Sequence, residues 1–326
     1  MGTTGVQSGL EQALQDARQK YRNWGRWGDE DALGTLNFID ARRRAAAAAL
    51  ARTGRAFSLA QELNWDGPQE GPRGPGGTVH TMTESGLDAA ADAQGRPHGF
   101  GSADGVVFMP LQSGTHWDGL GHVFDSGVAW NGRDCDEVVT GSGDQITGIE
   151  RQAAAFVGRG VLLDVGRVYG VRGELPDGFA IRQDHLDGTI AAQGPGSAVG
   201  RGDIVLVRTG QLARCRRLGA WGGFAAGPAP GLSFSTLEWL HGTEIAAAAS
   251  DTWGFEVLPY EFAENCFFPL HQIAVPQMGL PLGELFDLEE LAADCARDGV
   301  YEFLLVGAPL PITGAVCGPC NPIAVK

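Results

Sequence analysis

No stretch of this 326-residue chain approaches the roughly 20 consecutive apolar residues that a membrane-spanning helix requires. Residues Met1 to Lys20 lack a charged segment followed by an apolar core, so no secretory signal is read there. Cysteine is sparse, with six residues scattered along the chain. A secreted domain stapled by disulfides is denser in cysteine, so a reducing, cytoplasmic setting is expected. Positive charge is also short: 24 Lys and Arg face 39 Asp and Glu, for a formal net charge of −15. That balance provides no bulk basic surface to neutralise phosphates, which argues against nucleic acid as a partner, and it repels anionic lipid. No internal repeat has a solenoid period. Disorder is set aside too, because 43% of residues are hydrophobic and only 19% charged.

What the chain has in abundance is glycine, 50 residues, with 17 prolines spread among them. Such spacing predicts many turns and strand connections rather than low complexity. Helices are expected over residues 8–22, over Asp40–Ala51 with Asp40 as N-cap, and over 183–192, 235–248 and 285–296. Strand-like runs start at Val106, Val161, Asp203 and Tyr301. The Trp- and Gly-rich segment Asn23–Asn37 reads as an ordered loop or lid, and Gly67–Gly77 as a surface loop. Mixed strands and helices without strict alternation predict one α/β domain with a mixed or barrel-like sheet. It would span 1–326, with 1–55 as an N-terminal helical, lid-like extension.

The chemistry concentrates in Gln112-Ser-Gly-Thr-His116-Trp-Asp118-Gly-Leu-Gly-His122. If the strand begun at Val106 continues, residues 112, 114, 116 and 118 share a face. Gln112, His116 and Asp118 then point together, and Gly114 leaves room between them. An imidazole and a carboxylate two apart can share one divalent ion of Zn, Mn or Fe type. Gly119 and Gly121 allow a sharp turn that returns His122 to the same pocket. A His and an Asp at this spacing often occur by chance, and so many donors within eleven residues bring the metal reading level with the chance one, with both left open by the residues alone.

This segment resembles the signature His-x-Gly-Thr-His-x-Asp-x-x-x-His of the cyclase-like metal hydrolases, which include bacterial kynurenine formamidases and isatin hydrolases. Gly114, Thr115, His116, Asp118 and His122 fall in register, while Gln112 stands where the family has its first His. Downstream, His271 and Glu284 occupy places of a metal-binding His and Glu. The resemblance extends to Trp24–Asn37, Ser250–Glu256 and the tail from Pro309, as in a longer bacterial branch. It implies a swivelling β/β/α fold with a sheet-rich core and outer helices. It also implies metal ligands His116, Asp118, Gln112, His271 and Glu284, with His122 as proton donor and acceptor. Gln is a weak, neutral donor, so one Mn2+ or Zn2+ per chain is expected rather than two.

The implied reaction is hydrolysis of an amide, imide, lactam or lactone in a small molecule by metal-activated water. A cyclase or dehydratase acting on a secondary-metabolite intermediate, or a non-catalytic binding member, are alternatives. By analogy with the family, a homo-oligomer, dimer or tetramer, is expected. Trp65 and the pair Trp24 and Trp27 are candidates to wall an aromatic substrate, with core or dimer packing as the competing reading. His80 and His98 are further candidates for substrate contact, and Asp104, Asp251 and Glu256 for orienting ligand imidazoles. Cys317-Gly-Pro-Cys320 copies a redox frame but lacks the helix that lowers a thiol pKa, so it is read as a turn.

Overall fold

The computed structural model of the chain describes residues 4–68, 77–262 and 266–326. Most of the loop expected at Gly67–Gly77 therefore lies outside the described residues. Nine strands form one sheet: β1 (Ala56–Ser58), β2 (His116–Asp118), β3 (Val157–Leu163), β4 (Ile204–Val207), β5 (Ala247–Ser250), β6 (Leu282–Glu284), β7 (Glu302–Val306), β8 (Cys317–Pro319) and β9 (Ile323–Val325). Their spatial order is β1-β9-β7-β3-β4-β5-β6-β2-β8. The central four, β3 to β6, run parallel, and the flanking pairs on both sides are antiparallel.

The sheet is strongly curled. β8 is one edge, and β9 is next to the opposite edge, yet only residues 320–322 connect them. Seven strand spacings laid flat would separate them by about 34 Å. Four Cα steps reach at most about 15 Å. Trp117 Nε1 on β2 donates to Gly307 O, just past β7, at 2.7 Å, across the inside of the curl.

Strand alternation sorts the side chains into two layers. Trp117, Leu162, Leu206, Ala247, Ala249, Phe303 and Leu305 fill the inside of the curl. Val161, Leu163, Val205, Val207, Ala248 and Leu282 face outward, against Leu186, Leu240, Leu270 and Ile273 of the surrounding helices. The result is a mixed α/β domain with a large curled sheet and outer helices. Among the described residues, no helix is long and apolar enough to cross a membrane.

Several local expectations hold. The helix Ala41–Ala48 is capped by Asp40, whose carboxylate accepts from Arg43 N at 2.7 Å. Gln183–Gln193 and Glu289–Asp298 are helical. Two expectations fail. The helix expected over 235–248 ends at Gly242, and Ala247 starts β5. The alanines are helix formers, but here they sit buried on both faces of a central parallel strand, where tertiary packing overrides propensity. The strand from Val106 also stops short. Among the described residues, Asp104–Phe108 pairs only with Val79–Glu84, in a separate two-stranded hairpin, and β2 begins anew at His116. Pro110, which has no N–H to donate, sits in the break.

The segment 23–37 is pinned rather than free. Asn23 N donates to Gln277 O at 2.9 Å, Trp24 Nε1 to Pro276 O at 2.7 Å and Thr35 Oγ1 to Ala246 O at 2.8 Å.

The interior packs tightly around Gly283 of β6. A Cβ there would lie 2.6 Å from Ala249 Cβ, 2.7 Å from Phe286 Cε2 and 2.8 Å from Trp117 Cζ3. Gly283→Ala is therefore expected to destabilise the protein by about 1–3 kcal/mol, the usual cost of overpacking. Chemical denaturation would read this as a lower midpoint; an unchanged midpoint would mean the interior is looser than described.

Candidate metal centre

Strand register assembles the site. Across the β6–β2 pair, Glu284 lies opposite His116 and Leu282 opposite Asp118. Across β2–β8, Cys317 lies opposite Asp118 and Pro319 opposite His116. Directly opposed residues share a face, so His116, Asp118, Glu284 and Cys317 project to one side. Trp117 projects to the other, stacked on Phe156 with ring centroids 4.6 Å apart and edge-on to Phe286 at 5.0 Å.

His116 Nε2 is 3.4 Å from Asp118 Oδ1 and 3.5 Å from Glu284 Oε2. The other Glu284 oxygen, Oε1, is 3.4 Å from His271 Nε2. All four side chains are buried. Each imidazole is fixed from behind. His116 Nδ1 donates to Gly114 O at 2.8 Å, and a carbonyl can only accept, so Nε2 is left facing the carboxylates. His271 Nδ1 meets Glu256 Oε1 at 2.6 Å. Glu256 also accepts from the backbone N–H of His271 and Leu270, which ties it to the first turn of the helix Pro269–Ala274.

Among the described residues, His116 Nε2, Asp118 Oδ2 and His271 Nε2 are buried with no hydrogen-bond partner. Leaving such atoms unmatched is costly. Two imidazole nitrogens and two carboxylates converging in this way fit a divalent ion of Zn or Mn type. His116, Asp118 and Glu284 offer ligand atoms that all lie within 4.8 Å of one another. The electrostatics agree. Burial pulls the His116 pKa down, but Asp118 and Glu284 outweigh it and raise it to about 9. Burial likewise opposes Glu256 and Glu284 at His271, and the carboxylates raise it to about 10. Burial pushes Asp118 up, yet the charges of His122, His116 and His271 hold it well below the usual carboxylate range. The cage is built for positive charge.

The backbone around it is strained. Phe255 (φ 58°), Phe268 (φ 46°) and Leu285 (φ 62°) take left-handed conformations. They lie beside Glu256, three residues before His271, and beside Glu284. Such positions persist only where surrounding contacts enforce them. At Leu285 the contacts are visible: its carbonyl accepts from Thr115 Oγ1 at 2.6 Å and Gln61 Nε2 at 3.1 Å.

The cage opens on a cavity of about 600 Å³. Asp118, His122, His271, Glu284, Gln112 and Gln272 line its polar side, and Val123, Phe124, Trp253, Leu258, Tyr260, Phe267 and Phe268 its apolar side. His122 is a quarter exposed at this boundary, its Nε2 3.6 Å from Asp118 Oδ1. Gln112 is placed differently from a ligand. Its amide nitrogen, not its oxygen, faces Asp118 Oδ1 at 3.2 Å and His122 Nε2 at 3.1 Å, so it acts as a hydrogen-bonding neighbour.

The candidate substrate contacts lie elsewhere. Trp24 packs under Arg22 and against Gly132, and Trp27 against Phe38 and Trp130. Trp65 is 58% exposed, and His80 lies on the hairpin opposite Val107. None of the four lines the cavity. Glu256 orients an imidazole. Asp251 instead holds the turn at Thr209 and Gly210, and Asp104 belongs to the hairpin. The aromatic wall and Cys317 were not singled out in the sequence as parts of a site. Cys317 Sγ lies 3.2 Å from Asp118 Oδ1. Cys320 Sγ points instead toward Thr115 O, and neither cysteine is in a disulfide among the described residues.

Comparison with known proteins agrees with this architecture. The sequence profile of the family described as "Putative cyclase" matches residues 40–257. A crystal structure described as a novel cyclase is 38% identical, covering 95% of this chain and 99% of its own, with a TM-score of 0.86. Isatin hydrolase A from Ralstonia solanacearum is 20% identical, covering 88% of this chain and 97% of its own, with a TM-score of 0.58. An isatin hydrolase bound to the product analogue thioisatinate is 19% identical, covering 88% and 99%, with a TM-score of 0.59. No curated protein matches the chain.

The raised imidazole pKa values set a pH dependence. In the metal-stripped chain, His116 and His271 bind protons more tightly when folded than at their ordinary value of 6.5. Their stabilising contribution is complete below 6.5 and is lost as pH rises through about 9 to 10. Metal-stripped protein should therefore show a falling thermal midpoint from neutral pH to pH 10, and one equivalent of Mn2+ or Zn2+ should flatten that fall. A midpoint that rises over this range would contradict the arrangement.

Proposed function

The chain belongs to the cyclase family, and from that membership and the geometry of the cage we propose that it is a metal-dependent hydrolase of a small aromatic molecule. The observation that carries this reading is a buried set of His116, Asp118, His271 and Glu284 opening directly on an aromatic-walled cavity, with His122 at the boundary. The bond is an amide, imide, lactam or lactone. The isatin hydrolases that share the fold support a cyclic amide on a planar ring. One Mn2+ or Zn2+ per chain is the cofactor, held by His116, Asp118, His271 and Glu284.

The bound ion supplies Lewis acidity, lowering the pKa of water and polarising a carbonyl. The chain's own groups do the rest. Glu256 and Gly114 O fix the two imidazoles, so the donors need not reorganise. Phe124, Trp253, Tyr260, Phe267 and Phe268 hold an aromatic ring and limit water around the reacting bond. Burial and the nearby Glu256 push the Tyr260 phenol pKa up, so it remains a neutral donor. His122 Nε2 takes the proton of the attacking water and delivers it to the leaving nitrogen or oxygen, a role that an imidazole at the cavity boundary can fill.

The same proposal takes residues 1–326 as one domain with 1–55 as its N-terminal extension, acting in the cytoplasm as a homo-oligomer. The hairpin supports self-association. Two strands alone are marginal in water, and this pair exposes Val79, Met82, Val106, Val107 and Phe108.

A panel of cyclic amides, imides and lactones tests the reading, with product mass as the readout. Turnover should add one water, vanish on chelation and return with Mn2+ or Zn2+. His122→Ala should retain the ion but lose about 10²–10⁴-fold in kcat, the usual range for a general acid–base group. Ring-closed or dehydrated products would replace hydrolysis with a cyclase reaction. Full activity of metal-stripped protein would remove the metal from the account.

A further inference from the structure

Cys317 lies on the same face as the cage, opposite Asp118 in the strand register, and the proposed hydrolysis does not use it. We propose that Asp118, His122 and Cys317 form a second, softer cation position beside the first, and that filling it removes His122 from proton transfer. The ligand atoms of these three residues all lie within 4.8 Å of one another. Cys317 Sγ is 3.2 Å and His122 Nε2 is 3.6 Å from the same Asp118 oxygen. The second Asp118 oxygen, Oδ2, is buried with no hydrogen-bond partner among the described residues. An ion entering from the cavity meets Asp118 and His122, both of which line it.

The two positions differ in donor chemistry. The first offers only imidazole nitrogen and carboxylate oxygen, which suit Mn2+ as well as Zn2+. The second adds sulfur, which selects softer ions such as Zn2+ or Cd2+ over Mn2+. On binding, the Cys317 thiol releases its proton to solvent and sulfur ligates as thiolate. The His122 Nε2 lone pair, which would otherwise take the water proton, is then held by the ion. Excess soft metal thus becomes an inhibitor of an enzyme that its first ion activates. The inhibitory consequence rests on the proposed role of His122; the position itself rests on the donor geometry alone.

The test is titration of Mn2+-loaded protein with Cd2+, following thiolate-to-cadmium absorption in the ultraviolet together with turnover. One equivalent of Cd2+ should produce the absorption, and turnover should be lost in step with it. Cys317→Ser and Cys317→Ala should both lack the absorption and the inhibition while still binding the first Mn2+, and Cys320→Ser should keep both. Absence of the absorption in the unaltered protein, or its persistence in the two Cys317 variants, overturns the proposal. If Mn2+ itself fails to bind, the hydrolase reading falls. Cadmium absorption by the metal-stripped protein then still judges the thiolate position separately.

Discussion

The register of one three-residue strand governs the rest of this structure. β2 is His-Trp-Asp, held between β6 and β8. Its period of two sends Trp117 into the packed interior and His116 and Asp118 to the opposite face. A slip of one residue would exchange them, placing an indole in the cage and burying an imidazole and a carboxylate among Phe156, Phe286 and Leu305. The interior enforces the register from one side. Gly283 leaves the space the indole occupies, and Gly307 O accepts its N–H. The hydrophobic core and the ligand set are thus two faces of one constraint, with the stability of the first specifying the geometry of the second.

Electrostatics gives that face its purpose. Asp118 and Glu284 are both buried and both within reach of His116. Two carboxylates withdrawn from water repel each other and need positive charge between them. Protonated imidazoles meet that need in the metal-stripped chain, and a divalent ion meets it with the imidazoles neutral. Asp118 is where demands converge, because its oxygens also face Gln112, His122 and Cys317. Left-handed backbone at Phe255, Phe268 and Leu285 shows the surrounding chain bent to deliver Glu256, His271 and Glu284 to their places.

Much of this was legible in the sequence, for identifiable reasons. The spacing of His116 and Asp118 carries the strand period, and the Asp40 cap is a local signal that local physics obeys. The resemblance to metal hydrolases brought His271 and Glu284 to the same segment. No local pattern could have done so, because His116 and His271 lie 155 positions apart in the sequence. Glu256 was one of three acidic candidates, and only the fold distinguishes it from Asp251, which holds a turn. Other features were hidden. Cys317 reaches Asp118 through a strand pairing between residues 199 apart in sequence. The aromatic wall is drawn from separate segments, whereas the conspicuous Trp24 and Trp27 pack against Pro276 and Trp130. The alanines at 246–249 favour a helix by propensity, and only their place at the sheet centre makes them a strand.

The central claim is that His116, Asp118, His271 and Glu284 hold one divalent ion against the cavity. It is tested most directly by diffraction from crystals grown with Mn2+, recorded on either side of the manganese absorption edge. One anomalous peak is expected, bounded by His116 Nε2, His271 Nε2 and oxygens of Asp118 and Glu284. Catalytically active crystals with no peak among these four residues, or with the peak elsewhere, would contradict it.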